Sequence, residues 1–547
     1  MTFSTSPSVG IPVNLLACYK AWRKARRGKR PSANQLAFDQ RWLDNLLTLK
    51  TQLRSGHWQP HRTVSFIVHH PKTREIHAPY FVDRIVHHLV VERLEPLFEP
   101  VFIHDSYANR QGKGSHAAVD RVQQFMRSRD DGWYLQLDIH NFFNSIHRPT
   151  LYAMLCKRLA QVERRGKLPA THCLALRSLC HKLLAHKVLE TVRDPIAAAQ
   201  LPAHKRLANA QASCGLPVGN LTSQFFANVY LNALDQFVKH TLHCRHYVRY
   251  VDDFILLADN PEQLRVWQAQ ISDFLQTSLR LRLKDDVRLQ PFCQGIDFLG
   301  YRVFTHYRRV RPRVVAHCRA KLTEWARQFV RQHPHGLLIP TRRVGMQYQR
   351  AALGNSPQRG RHEFPRGAWE LGECSHGLRI RTTAQGLAQL QALLSSYWGH
   401  FSHAHSVRLR RALFAQFNWL PHLFSLSADG SLQARWVLEG ATFAQQSRVL
   451  QHGQPATHCF IQRGCRFYQL QSGSPHLEYR PEQLAAVLAN LRRLGGAYRV
   501  AKQTGWLRHG TRRRELCEWF IPHPLVNKQE LASFPILAFP RPGLGTQ

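Results

Sequence analysis

At 547 residues, 44% of them apolar, the chain is too long for one hydrophobic core and has the composition of a folded protein of several units. Its 75 Lys and Arg against 35 Asp and Glu leave a formal charge of +40, a surplus tolerated most readily when a polyanion neutralises it, which points to nucleic acid. The longest apolar runs, such as FILLA at 254–258, fall far short of the ~20 residues that span a bilayer, and the 12 cysteines form no CxxC pair, so a cytoplasmic protein with reduced thiols and no membrane role is expected.

Residues 1–60 carry helical periodicity, with a basic turn GKRPSA at 28–33 followed by FDQRWLDNLLTLKTQL at 38–53. From 64 to 90 the pattern alternates like a hairpin and then takes helical spacing. A Gly-punctuated loop, SYANRQGKGSH at 106–116, leads into another helix. The segment 303–385 is rich in Arg, Gly and Pro, as in NSPQRGRHEFPRG at 355–367, and shows no sustained period. Helical patterning returns at 387–403 and 408–420, and from about 430 a Tyr/Phe-rich strand-like stretch at 458–471 precedes a helix at 481–494 that opens on Pro481. Basic clusters at 22–30, 307–313 and 408–411, interleaved with aromatic residues, suit a phosphate backbone. Cys173, Cys180 and His181 match no common zinc spacing and read as one side of a helix.

Three acids carry the chemistry. In WYLQLDIHNFF (133–143), Leu135, Leu137 and Ile139 alternate with Tyr134, Gln136 and Asp138, so a strand buries one set and presents Asp138 on the other face. In RHYVRYVDDFILLA (245–258), two strand-forming runs flank Val-Asp-Asp, which predicts a hairpin with Asp252 and Asp253 exposed at its tip. Carboxylates converging from separate strands are what a two-metal phosphoryl transfer requires. An isolated Asp-Asp pair is more often a turn or a cap.

The company of these acids decides the matter. YVDD resembles the Tyr-X-Asp-Asp signature of reverse transcriptases, and further matches follow in family order: PKTREI (71–76), DRIVHH (83–88), SYANRQGKGSH, GLPVGNLTSQ (215–224), Lys284 in LRLKDD, and GIDFLGY (295–301). The resemblance implies an α+β right-hand polymerase of fingers, palm and thumb that copies template RNA from a DNA or RNA primer with dNTPs and two Mg2+ ions. It implies that Asp138 and Asp252 chelate the ions with Ile139 at the metal site, and that Asp253 supports the second ion. Tyr250 then backs the hairpin, and Phe143 is the steric gate against a ribose 2′-hydroxyl. Lys72 and Arg74 meet the triphosphate, and Val218, Gly219, Gln224 and Lys284 complete the nucleotide site.

Val218-Gly219 and Ser223-Gln224 replace the more usual Gln-Gly and Ser-Pro, and with GIDFLGYRVFTHYRRVR and SYWGHFSHAHSVRLRRALF they resemble the enzymes of diversity-generating retroelements. Those enzymes misincorporate opposite adenine and work with an accessory variability determinant protein. A phage-defence or other retroelement enzyme, or a catalytically idle RNA-binding scaffold, are the competing readings.

The expected organisation is an N-terminal extension with fingers (1–132), a palm with a fingers insertion (133–305), a basic insertion (306–385), a thumb (386–425) and an appended small α/β domain (430–547). Residues 435–471 resemble the N-terminal mismatch-recognition domain of MutS proteins, which implies a nucleic-acid contact for Phe467, although Gln469 stands where that family has Glu. A docking surface is the alternative role for this domain.

Overall fold

The computed structural model describes residues 9–28, 31–69, 73–129, 131–186, 190–193, 195–333, 340–343, 369–371, 377–434, 458–463, 466–470, 477–493, 496–504 and 515–522. The chain divides into two compact units, residues 1–308 and 309–547. Among the described residues no helix is long and apolar enough to cross a membrane.

The first unit opens with α1 (Leu15–Arg26), α2 (Ala33–Gln40) and α3 (Trp42–Ser55). Asn14 caps α1 by accepting the Ala17 N–H at 2.9 Å, and α3 stops at Gly56, whose φ of +76° glycine adopts without strain. The periodic stretch at 38–53 is broken at Arg41 into two helices, of which α2 packs on α4 (Phe81–Phe98) and α3 on α1. Strands β1 (Thr63–Val68) and β2 (Arg74–Ala78) form the expected hairpin, joined on the β1 side by β4 (Glu190–Val192).

The central sheet runs in the order β5-β6-β3-β7, from β3 (Trp133–Asp138), β5 (Tyr247–Tyr250), β6 (Asp253–Ala258) and β7 (Arg288–Pro291). The pairs Leu135↔Leu256 and Leu137↔Phe254 turn one face into the main core. That core is completed by α10 (Leu221–Gln236) and α11 (Pro261–Leu279); α5 (Ser115–Arg127) packs on β5 and β6. Between them lie α6 (Phe142–Ser145), α7 (Arg148–Arg164), α8 (Ala170–Ala185) and α9 (Pro195–Ala199), and after β7 come the paired strands β8 (Ile296–Phe298) and β9 (Tyr301–Val303). Cys173 and Cys180 are buried on α8 as ordinary core residues.

Helix α11 shows how local signals and burial agree. Asn260 accepts the Glu262 N–H at 2.8 Å, Pro261 occupies the first turn, and Leu264, Ile271, Leu275 and Leu279 recur on one buried stripe.

In the second unit a helix at 312–329 occupies the start of the stretch expected to lack a period. Its buried residues Val315, Cys318, Leu322 and Trp325 follow helical spacing, but Arg313, Arg319 and Arg327 fill the intervening positions and hide the stripe from a reading by composition. It packs with helices 384–402 and 407–416, where Trp325 stacks on Trp419 at 4.8 Å between ring centroids. A seven-stranded sheet takes its strands in the order 330–333, 377–382, 515–522, 498–504, 458–463, 466–470, 477–479. The strand-like stretch at 458–471 thus holds two antiparallel strands, and the blocks expected at 306–385 and 430–547 share one sheet. The segment 355–367 lies outside the described residues.

Leu275→Ala deletes a fully buried side chain of the main core, and chemical denaturation should show a loss of about 2–5 kcal/mol.

Candidate active site

Strand alternation sets the first acid. The register pairs Asp138 with Asp253 directly across β3 and β6, which places both on the face opposite the Leu135/Leu137 core. Beyond Asp138 the chain continues through a bridge between Ile139 and Leu283, in which the Lys284 N–H donates to the Asp138 carbonyl at 2.9 Å and the His140 N–H to the Arg282 carbonyl at 2.8 Å. The Ile139 side chain is buried, and its own carbonyl is not consumed by this pairing.

The hairpin expected at 245–258 is present, with Val251 and Asp252 as its two-residue turn between the paired Tyr250 and Asp253. Val251 has a φ of +56°, a value that a β-branched residue adopts at a cost of about 1–3 kcal/mol. The acids are not exposed at the tip as expected: Asp252 and Asp253 are half-buried, because the turn folds onto the sheet and Val251 packs against the main core.

The three acids have different partners. Lys284 Nζ donates to Asp138 Oδ2, while Asp138 Oδ1 is buried and accepts no hydrogen bond. Gln136, two residues before Asp138 on the same face, donates to Asp253 Oδ1 at 3.0 Å. Burial first, and then the charge of Asp138, push the Asp252 carboxyl up to about 6, against the opposing pull of Lys284 and Arg74. Two carboxylates therefore face each other with too little positive charge between them. Among the described residues no three acids, histidines or cysteines converge as a ready metal cage. Asp138, with a buried oxygen that accepts no hydrogen bond from the described residues, and Asp252, whose carboxyl burial and a like charge push up, nonetheless fit a divalent cation.

The residues expected to meet the nucleotide come from three directions. Arg74 is exposed on β2 and close enough to lower the Asp252 carboxyl; Lys72 lies outside the described residues. Phe143 is half-buried on α6, in edge contact with Phe142 at 5.3 Å, and its carbonyl accepts the Leu216 N–H at 2.8 Å. The loop that follows docks on β2: the His77 N–H donates to the Val218 carbonyl at 2.7 Å. Gly219, at a φ of +111°, sits where a Cβ would lie 2.9 Å from Ile76 and 3.2 Å from the His77 carbonyl. Half-buried Gln224 and Tyr250 stand on the first turn of α10 and at the end of β5.

One expected contact is corrected. Phe467 is fully buried with Phe460, Tyr479, Leu484 and Leu488, so its ring cannot stack on a base without opening that core. Tyr468 takes the opposite face of the strand and is half-buried. Gln469 is internal too, accepting from Tyr479 Oη at 2.9 Å.

Two residues near the acids escape a motif reading. Gln136 is a polar residue in an apolar strand, and Arg249 is a charge inside YVRYV; each interrupts a run that packing alone would fill with apolar side chains.

Residues 68–303 match the model of the family described as reverse transcriptase (RNA-dependent DNA polymerase). The chain is 24% identical over 314 residues to protein YkfC of Escherichia coli, an alignment covering 49% of this chain and 74% of YkfC. It is 26% identical over 168 residues to the group II intron-encoded protein LtrA of Lactococcus lactis, covering 30% of this chain and 23% of LtrA. Among solved structures, telomerase from Candida albicans in complex with a fragment of telomeric RNA aligns with a TM-score of 0.34 and 13% identity over 50% of this chain and 51% of that one. Apo telomerase from Candida tropicalis aligns with a TM-score of 0.33 and 12% identity over 46% and 56%.

A carboxyl whose pKa is raised on folding costs stability once it ionises, so the Asp252 penalty is absent below its ordinary 3.8 and fully present above about 6. In metal-free buffer the thermal midpoint of the wild type should fall relative to Asp252→Asn as pH climbs through that window. Added Mg2+ at pH 7 should narrow the gap, and parallel melting curves across the window would contradict the assignment.

Proposed function

We propose that the reverse transcriptase domain at 68–303 makes this chain an RNA-directed DNA polymerase that copies a template RNA into cDNA. The observation that carries the reading is the apposition of Asp138 and Asp252 at a strand end and a hairpin turn, with Lys284 and Arg74 beside them.

In this reading Asp138 and Asp252 hold two Mg2+ ions, with the Ile139 carbonyl available to the same site and Asp253 in support. Bound divalent ions supply charge neutralisation at the attacking and leaving oxygens of phosphoryl transfer. Arg74 and Lys72 meet the triphosphate, with a geometry in the guanidinium suited to paired phosphate oxygens. Phe143 closes the pocket against a 2′-hydroxyl. The Val218–Gly219 turn lies against β2, where the His77 N–H donates to the Val218 carbonyl and Gly219 leaves no room for a Cβ. Lys284 balances Asp138 when no cation is present.

The finer assignment is a diversity-generating retroelement enzyme, supported by the aliphatic Val218, the GNLTSQ segment and the stretches GIDFLGYRVFTHYRRVR and SYWGHFSHAHSVRLRRALF. An amide at that position would hold the incoming nucleotide in register, and Val218 removes it. Template RNA, a DNA or RNA primer and dNTPs are its substrates, and an accessory variability determinant protein is its partner. Residues 430–547 are an appended nucleic-acid-binding or docking module. The likeness to LtrA favours a second reading, a reverse transcriptase of another retroelement.

Primer extension on an RNA template with Mg2+ and dNTPs should yield DNA that disappears in Asp252→Ala; no product from the wild type, with cognate RNA and accessory protein supplied, would refute the proposal. Errors should concentrate opposite template adenines and decline in Val218→Gln, whereas faithful copying would leave the polymerase and remove the mutagenic role. Gly219→Ala, which forces a Cβ against Ile76 and His77, should raise the KM for dNTP by on the order of ten-fold.

A further inference from the structure

The turn that carries Asp252 is held from behind by a buried network that no motif assigns. Arg249 and Asp235 are both fully buried, and they pair in two-point fashion: Arg249 Nε donates to Asp235 Oδ1 at 2.7 Å and Nη2 to Oδ2 at 2.6 Å. Tyr247 Oη also donates to Asp235 Oδ1, at 2.8 Å. The remaining guanidinium protons go to Asn228 Oδ1 at 3.2 Å, Ser106 Oγ at 3.0 Å and the Val251 carbonyl at 3.1 Å. The last contact matters most, because Val251 is the residue in left-handed conformation and Asp252 is the next one along.

The loop SYANRQGKGSH takes part in the same arrangement. Arg249 receives its backbone there: its N–H donates to the Asp105 carbonyl and its own carbonyl accepts from Tyr107 N–H, both at 3.0 Å. Arg110 stiffens that loop by gripping Glu99 with two nitrogens and donating to the Ser106 carbonyl at 2.9 Å. The guanidinium is therefore anchored on α10 and on the loop before it reaches Val251.

We infer that Arg249 is a positioning residue for Asp252: anchored by Asp235, Asn228 and Ser106, it holds the Val251 carbonyl and so keeps the strained turn in the conformation that presents Asp252 for cation binding. A buried pair that served packing alone would have no use for a donor on the turn, and apolar residues of similar volume would fill the space as well. A fork of donors in fixed geometry is what spans five acceptor atoms in four residues at once, which Lys cannot do. The inference rests on the reading of Asp252 as a metal ligand.

The test compares the full chain with Arg249→Lys, Ser106→Ala and the double variant Arg249→Lys/Val251→Gly. Direct Mn2+ binding is followed by electron paramagnetic resonance, alongside the Mg2+ dependence of primer extension. Arg249→Lys should weaken Mn2+ binding by between about ten- and a hundred-fold, as loss of an outer partner of a metal ligand does. The Mg2+ needed for half-maximal extension should rise with it, while the KM for dNTP at saturating Mg2+ stays near the wild-type value. Glycine adopts positive φ without strain, so Val251→Gly should recover a large part of the loss.

Unchanged Mn2+ affinity in folded Arg249→Lys, or a loss that Val251→Gly leaves untouched, would reduce the network to packing. Where Arg249→Lys does not fold, Ser106→Ala carries the test, since it removes one anchor and no charge. A several-fold weaker Mn2+ affinity supports the inference and an unaltered one overturns it. The Mn2+ comparison decides the inference even if the chain makes no DNA, a result that would count against the polymerase reading alone.

Discussion

The pairing of β3 with β6 is the constraint on which the site depends. Strand side chains alternate, so the register that pairs Leu137 with Phe254 in the core also sets Asp138 opposite Asp253 on the other face. A slip of one residue would bury the acids and expose the leucines. The apolar set that fills the core therefore also places the acids, and the cost of displacing them is the cost of unpacking α10 and α11 from the sheet. Function at this site draws its precision from hydrophobic burial on the reverse side.

The acids sit among cations that belong to the protein. Lys284 is bound to Asp138, and Arg74 and Lys284 both act on Asp252. This moderates the repulsion between two close carboxylates without cancelling it, since Asp138 keeps a buried oxygen without a partner. A site fully satisfied by its own residues would have no use for an added cation, and one with no internal cation would force the acids apart or protonate them. The balance here lies between these extremes.

How much of this was legible in the sequence follows from how local each signal is. Strand β3 and the hairpin around Asp252 are written in alternation and turn chemistry, all within a dozen or so residues, and they appear where expected. The depth of the acids was not legible, because burial of the turn depends on Val251 meeting a core assembled from distant segments. Arg249 was opaque for the same reason: its partner Asp235 is 14 residues away on a helix, and its second anchor, Ser106, is 143 residues away. Phe467 fails differently. Alternation says that Phe467 and Tyr468 take opposite faces but not which face the following helix, Pro481–Arg493, will cover. The helix at 312–329 was hidden by its arginines, which lower the average apolarity of a segment whose buried stripe is regular.

The seven-stranded sheet has a consequence for the order in which the second unit is made. Strand 377–382 lies between 330–333 and 515–522, so one of its two edges is paired only by residues synthesised more than a hundred positions later. Strand 498–504 is likewise bounded by 458–463 and by that same late strand. Until 515–522 emerges, both neighbours present open edges, the features most prone to pair with other chains. Pairings so distant in sequence close slowly. The helical cluster at 312–329, 384–402 and 407–416, by contrast, is assembled from segments already synthesised. During translation the unit thus passes through a stage with a packed helical part and a divided sheet, and a nascent chain halted near residue 510 would hold its most adhesive surface open.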